Sequence, residues 1–459
     1  MLDRFRTHLA DSQLIPPGSR VLVGYSGGAD STALLHLLAK SGVDCVAAHL
    51  HHGQREEAES ELENCRSFAD QLGVPFAAGR ANVPLMAEEM GIGLEEAGRK
   101  ARYSFFTEAS FRLSCDLIAT AHTRSDQVET ILFNLARGTG IHGLGGIPER
   151  RDNIVRPLLP FSREETQSYC QQNQFWTHDD PANGDLNFSR ARIRHRVIGE
   201  LRQINPAFDQ SIIRLSAIAR EEDEFLNGMA ASALEQSEVD INGDLKFLTE
   251  DVEIRMDRAR LAHFPPPLIK RGIRLATEVL GGALDYEQTH IVYTNLVEGT
   301  KGSVSSEGGE VVVEWDDKVV DFRRLSVSTP FRHTLTIPGE TMSDEFGWQI
   351  DADLTPPPTT RPSRGDMETW LDADKVHGAL YFRSAKQGDV MQPLGFHGRR
   401  KLSDILSEAK LTIAARSRIP IVCDMVGPLW IPGICLGERA APNADTTRAF
   451  HLRFGPIRG

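Results

Sequence analysis

Val21-Leu22-Val23-Gly24-Tyr25-Ser26-Gly27-Gly28-Ala29-Asp30-Ser31-Thr32 is the stretch from which the rest of the chain is best read. A short apolar run ends at Tyr25, a Ser-Gly-Gly turn follows, and Asp30 and Ser31 open an amphipathic helix through Lys40. Two adjacent glycines let the backbone turn sharply and bring N–H groups close to a ligand, because neither carries a Cβ. The following helix aims its unpaired N–H groups and positive dipole end at the same point. The result is a cradle for an oxyanion, pyrophosphate above all. It is not a Walker A loop, because no Lys-Ser or Lys-Thr follows the glycines. The competing reading is a tight strand-to-helix turn without a ligand.

Outward from this loop, residues 20 to about 175 alternate between strand-like and helix-like patterns. Apolar runs at 20–25, 44–50, 75–78 and 116–121 are separated by helical stretches at 30–40, 56–72, 94–110 and 125–137. That rhythm predicts a parallel sheet, doubly wound with helices on both faces. Ligands of such sheets bind beyond the carboxyl ends of the strands, where Ser26 falls.

The same edge collects further polar residues. His49-Leu50-His51-His52 invites a metal reading, but strand alternation sends His49 and His51 one way and His52 the other, and no cysteine or carboxylate stands at ligand spacing. In Ala119-Thr120-Ala121-His122-Thr123-Arg124-Ser125-Asp126-Gln127-Val128-Glu129, the carboxylates Asp126 and Glu129 share one face of a helix near its N-terminus. They suit a magnesium ion, a substrate ammonium group, or simply the helix dipole; spacing leaves these open.

The chain has 459 residues, 25% charged and 40% hydrophobic. These values describe an ordinary soluble protein of about two to four domains. No apolar run is long enough to span a bilayer and no signal core opens the chain, so the expectation is a cytoplasmic protein without membrane attachment. The six cysteines are scattered without a C-x-x-C pair, as reduced thiols are. A net charge of −13 argues against nucleic-acid binding by the whole surface, yet local basic tracks exist. Arg190, Arg192, Arg194, Arg196 and Arg202 form one; Lys270, Arg271 and Arg274 a second; Arg399, Arg400 and Lys401 a third; Arg416 and Arg418 a fourth. Such clusters on an acidic protein suggest a defined polyanion footprint.

Beyond about residue 205, a long helix is predicted at 207–226, with helices at 268–280 and 286–297 and a strand pair at 302–306 and 311–315. A C-terminal unit begins near Thr334, residues 355–364 read as a Pro-rich flexible insertion, and short strands surround a helix at 402–409. The expected division is 1–204, 205–325 and 326–459: an α/β domain, a mostly helical middle domain and an α+β C-terminal domain.

The order of motifs carries a specific resemblance. SGGADS is followed by HLHHGQR, Glu95-Glu96-Ala97-Gly98-Arg99-Lys100-Ala101-Arg102-Tyr103, ATAHTRSDQVET, Arg137-Gly138-Thr139-Gly140, Arg156-Pro157-Leu158-Leu159, and Asn187-Phe188-Ser189-Arg190 to Arg194. It resumes at Gly398-Arg399-Arg400-Lys401-Leu402-Ser403-Asp404 and Trp430-Ile431-Pro432-Gly433. The chain resembles the tRNA(Ile)-lysidine synthetases, members of the PP-loop ATP pyrophosphatases with an adenine nucleotide alpha hydrolase-like fold. His51, Gln54 and Ser125 depart from the family's commoner Asn, Leu and Asp.

The resemblance implies a two-step ligation on the wobble cytidine of an isoleucine tRNA with a CAU anticodon. The cytosine 2-carbonyl oxygen attacks the α-phosphate of ATP, releasing pyrophosphate, and the ε-amine of free L-lysine then displaces AMP. It places ATP on Ser26, Gly27, Gly28, Ala29, Asp30 and Ser31; His52 and His122 read either as further ATP contacts or as packed, hydrogen-bonded histidines. Lysine falls to Asp126 and Glu129, and the reacting phosphate to Arg102. Asp30 is the residue to anchor Mg2+, and Asp30 and Arg102 are the catalytic pair. Arg190, Arg192, Arg194, Arg399, Arg400 and Lys401 are expected to contact tRNA. A homodimer is left open, as is the carboxylate that deprotonates the amine. A PP-loop tRNA thiolase, a metabolite amide ligase and a non-catalytic RNA-binding protein are the rival readings. Absent paired cysteines weigh against the first, unused basic tracks against the second, and the intact loop against the third.

Overall fold

The computed structural model describes residues 1–51, 58–178, 189–325, 329–357 and 365–457. His52, Gln54, Asn187 and Phe188, and residues 358–364 of the predicted insertion, lie outside them. The chain divides into two compact units, Met1–Glu224 and Phe225–Gly459.

In the first unit the predicted alternation is realised as α1 (Leu2–Ser12), β1 (Arg20–Gly24), α2 (Ala29–Lys40), β2 (Asp44–His51), α3 (Ala58–Leu72), β3 (Phe76–Arg80), α4 (Val83–Met90), α5 (Leu94–Arg112), β4 (Leu117–Ala119), α6 (Arg124–Ala136), α7 (Ile141–Leu144), β5 (Arg150–Arg151), β6 (Ile154–Val155) and α8 (Arg163–Gln172). The sheet order is β3-β2-β1-β4-β6-β5, parallel except for the edge strand β5, which sequence reading did not anticipate. The order reverses between β1 and β4, which opens a crevice at their carboxyl ends. Alternation along β1 sends Val21 and Val23 into the core beneath α2, while Leu22 meets Phe106 and Ala109 of α5 on the other face. At Gly24 any Cβ would lie 2.7 Å from the Phe106 ring, so close strand–helix packing demands glycine where the strand ends.

α8 was missed because its sequence, REETQSYCQQ, buries only Thr166 and Cys170 and so carries little apolar periodicity. Its start was still legible in Ser162-x-x-Glu165: Glu165 N–H donates to Ser162 Oγ, and Ser162 N–H donates to Glu165 Oε2 at 2.7 Å. The unit continues through α9 (Ser189–Arg192), a π-helical turn at Ile193–Val197, α10 (Ile198–Ile204) and the start of α11 (Phe208–Ser237).

The second unit holds two hydrophobic cores. In the first, α12 (Arg258–Ala262), α13 (Pro266–Val279) and α14 (Tyr286–Glu298) belong with the antiparallel strands Glu253–Asp257, Gly302–Ser305, Val311–Trp315 and Val319–Arg324. This middle region is mostly helical as expected; the first and last of these strands were not predicted. Arg258, 5% exposed, replaces a carboxylate partner with backbone: its guanidinium donates to the carbonyls of Asn295 (2.7 Å) and Leu296 (2.8 Å) at the end of α14, and also to those of Thr300 and Asp316. A cation there complements both the orphan carbonyls and the negative helix end.

The second core is α+β, as expected, with a four-stranded and a five-stranded antiparallel sheet burying Trp348, Trp430 and Phe382. Leu402, Ile405 and Leu406 of the predicted helix, which spans Leu402–Glu408, pack into the same core. Arg418 is buried here with its guanidinium against Asp251, so the fourth basic track is in part structural.

Candidate functional site

The phosphate-cradle geometry is present at the end of β1. Gly27 has φ +83°, in the left-handed region, and Gly28 is the N-cap of α2. The loop is braced from within: Ser31 Oγ donates to Gly28 O (3.0 Å), and the Ser26 and Ser31 hydroxyls lie 3.1 Å apart. The N–H groups of Gly27, Ala29, Asp30 and Ser31 have no partner among the described residues, which is the donor set an anionic ligand needs. The loop is also braced from outside, since His178 N–H donates to Gly27 O at 2.8 Å. A Cβ on Gly27 would approach Cys65 Sγ to 3.0 Å and the Trp176 ring to 3.2 Å. Gly27→Ala is therefore expected to cost about 1–3 kcal/mol through its φ and to raise the half-saturating nucleotide concentration. Thermal unfolding with and without ATP checks both effects.

Asp30 opens α2 and faces the first turns of α6 and α8. Thr166 of α8 donates its hydroxyl to Asp30 Oδ1, and the Arg163 Nε lies 3.6 Å from Asp30 Oδ2. Burial, with Asp126 adding to it, pushes the Asp30 carboxyl up to about 6 against the opposing pull of Thr166 and Arg163.

Asp126 and Glu129 are brought together on α6 as their spacing required. Asp126 does two jobs: Oδ2 accepts from the Thr123 N–H (2.8 Å) and hydroxyl (2.7 Å), closing the helix start, while Oδ1 accepts from Arg163 Nη2 at 2.7 Å. Burial alone would raise this carboxyl, but the Arg163 charge and the Thr123 donors hold it below the usual range. Glu129, 3% exposed, accepts from Arg163 Nη1 (3.0 Å) and from Arg194 through Nε (2.6 Å) and Nη2 (2.9 Å). Every oxygen of the pair is thus engaged. A substrate ammonium entering here must share or displace a guanidinium.

Sequence reading missed Arg163 and Thr166. Their only local signal was the capping box that places Arg163 at the first position of α8 and Thr166 one turn later. Ser125 proves informative instead: its Oγ accepts the Arg163 N–H at 3.2 Å, tying the start of α8 to α6.

The other expected residues are distributed as follows. Arg102 is exposed on α5, one turn before Phe106, and forms no ion pair among the described residues. His49 is a packed histidine: Nδ1 donates to Tyr25 O at 2.9 Å and burial lowers its pKa. His122 shares a 2.9 Å hydrogen bond with Thr120, and burial takes its imidazole down to about 4, so it is neutral at pH 7. Within the basic track, Arg192 and Arg196 are exposed, Arg190 lies over the Phe133 ring, and Arg202 pairs with Asp209. Arg194 turns inward from the π-helical segment onto Glu129. In the C-terminal region Arg399 and Lys401 are exposed, whereas Arg400 pairs with Glu408.

Among the described residues no group of three or more His, Cys, Asp or Glu side chains is placed to hold a metal. One carboxylate, Asp30, beside a phosphate cradle fits magnesium, which takes most of its ligands from phosphate and water. The six cysteines are free thiols. The two nearest the loop, Cys65 and Cys170, are pushed up to about 12 by burial, so neither is a thiolate nucleophile at neutral pH. No helix among the described residues is long and apolar enough to cross a membrane.

The PP-loop domain family matches residues 2–201, and the TilS substrate C-terminal domain matches residues 380–452. The tRNA(Ile)-lysidine synthase of Geobacillus kaustophilus is 30% identical over 99% of this chain and 99% of that protein. That of Symbiobacterium thermophilum is 30% identical over 98% and 97%, and that of Dehalococcoides mccartyi 28% identical over 99% of each.

Proposed function

The chain belongs to the tRNA(Ile)-lysidine synthase family of ATP-using ligases, and from that premise we propose that it joins free L-lysine to C2 of the wobble cytidine of a tRNA(Ile) with a CAU anticodon. The products are lysidine, AMP and pyrophosphate, and decoding moves from AUG to AUA. The observation that carries this reading is the meeting of a phosphate cradle and an acid pair at one sheet edge, joined by a single guanidinium.

In the first step the N–H groups at Gly27–Ser31 hold the phosphates of ATP, and the unpaired Arg102 guanidinium stabilises charge developing on the α-phosphate as the cytosine oxygen attacks. Asp30, with phosphate oxygens, would hold Mg2+, which when bound neutralises the leaving pyrophosphate. In the second step Asp126 and Glu129 orient the lysine side chain by its charge. The ε-ammonium must lose a proton before it attacks C2 and expels AMP. The Arg163 charge and the Thr123 donors hold the Asp126 carboxyl low, which makes it a weak proton acceptor.

An unstacked anticodon base is reachable in a loop and not in a duplex, which suits a single-stranded substrate nucleotide. We assign its phosphates to Arg190 and Arg192 and, in the C-terminal region, to Arg399 and Lys401. Arg194 and Arg400, each paired with a carboxylate in the free protein, would exchange that partner for a phosphate to join them. Domains at 1–204, 205–325 and 326–459 and a cytoplasmic setting complete the proposal.

The test uses purified protein, ATP, magnesium and labelled lysine with CAU and UAU transcripts. Label on the CAU transcript alone, with AMP released, is the expected result. Pyrophosphate release that needs RNA but attaches no lysine would replace lysine with another nucleophile.

A further inference from the structure

Three carboxylates from two helices converge on Arg163, and no other described cation touches all of them. Its guanidinium reaches Asp30 of the loop helix, through Nε, and both Asp126 (2.7 Å) and Glu129 (3.0 Å) of α6. The residue is itself held on three sides. Its N–H donates to Ser125 Oγ, its carbonyl accepts the Thr166 hydroxyl at 2.8 Å, and the Ser162–Glu165 box fixes the turn it stands on. Thr166 in turn reaches Asp30. The start of α8 is thereby pinned to α2 and α6 together.

We propose that Arg163 is a positioning residue that couples the two halves of the reaction, serving as the shared counter-ion of the nucleotide-side carboxylate and the amine-side acid pair. The inference rests on the ligase reading above and adds to it a residue and a linkage. A planar guanidinium offers five donors in a fixed fork, so one group can hold three acids in a set relative placement; an ammonium is a point charge and cannot. Whatever cation approaches Asp30 competes with Arg163 from one side, and an ammonium at Asp126 and Glu129 competes from the other. Occupancy of either side therefore changes the hold of Arg163 on the other, which is the condition for linkage between two ligands. Arg194 does not have this property, because its contacts stop at Glu129.

Arg163→Gln and Arg163→Lys in the full chain separate this role from simple bracing. Two quantities are followed: lysine-independent pyrophosphate release as a function of magnesium, and the KM for lysine in complete turnover. Arg163→Gln removes the competing cation and is expected to lower both the half-saturating magnesium and the lysine KM by about tenfold, while kcat falls because the three acids lose their set placement, a split between KM and kcat that loss of folded protein does not produce. Arg163→Lys keeps the charge and is expected to recover one of the two at most. Full recovery of both by lysine would mean that charge alone suffices and would overturn the proposal. So would a change confined to one side, or a fall in kcat with both half-saturation values unmoved. If the wild-type protein releases pyrophosphate but attaches no lysine, the ligase reading fails; competition of lysine-like amines with magnesium in pyrophosphate release then decides the linkage, its loss in Arg163→Gln supporting the role and its persistence overturning it.

Discussion

Asp30→Asn is expected to abolish RNA-dependent pyrophosphate release and at the same time to make the first unit harder to melt at pH 7. Asp30 sits buried beside Asp126, and its carboxyl is pushed from its usual 3.8 up to about 6. An acid whose pKa is higher in the folded state binds its proton more tightly there. The stability that this binding contributes is complete below about pH 4 and is lost as pH rises through about 6. Across about two pKa units the loss amounts to about 3 kcal/mol at most. Asparagine keeps an oxygen for the Thr166 hydroxyl and carries no charge, so it escapes the loss while giving up the carboxylate proposed to hold Mg2+. Functional groups commonly cost stability in this way. Thermal unfolding at pH 5 and pH 7 is the check: the variant should gain at pH 7 and gain less at pH 5. A lower melting temperature at pH 7 would mean that the contact with Arg163 outweighs burial.

Glu129→Gln should do the opposite on both counts. Pyrophosphate release without lysine is expected to stay within a few-fold of wild type, while the lysine requirement rises by about 100-fold, the usual scale for losing one partner of a buried charge pair. Stability is expected to fall by about 3–5 kcal/mol, because Arg163 and Arg194 lose the carboxylate between them and remain partly buried. Pairing the change with Arg194→Gln should return part of that stability, since the two substitutions remove both charges of one contact. Equal loss of pyrophosphate release and of lysine attachment in Glu129→Gln would end the division of labour between the two ends of the site.

These two carboxylates stand differently toward the sequence. Asp126 and Glu129 were legible as a pair because a helix puts residues three apart on one face, whatever surrounds it. Their purpose was not legible. Ammonium site, metal site and dipole charge predict the same spacing, and Asp126 turned out to serve the helix start and the Arg163 contact together. Arg194 carries a contact that the residue pattern did not show. Within a run of arginines it reads as one more phosphate contact, yet it is directed onto Glu129, while Arg192 and Arg196 remain exposed. A π-helical turn changes which side of the segment each residue takes, and nothing in the residue pattern announced that turn.

What the sequence determined by itself was whatever depends on neighbours in the chain. The strand, the double glycine and the helix start at Ser26–Ser31 make a cradle because backbone freedom and an open helix end are local properties. The alternation of strands and helices settled the parallel sheet and hence the edge at which that cradle lies. Only the tertiary structure decided which charges meet there. Arg163 stands 34 residues from Glu129 and Arg194 stands 65 away, distances over which no periodicity carries information. Their meeting depends on how α8 and the segment after it pack against α6. The proton affinity of Asp30 depends on the same packing, because burial and the field of nearby charges are set by the folded neighbourhood, not by the residue or its place in the chain.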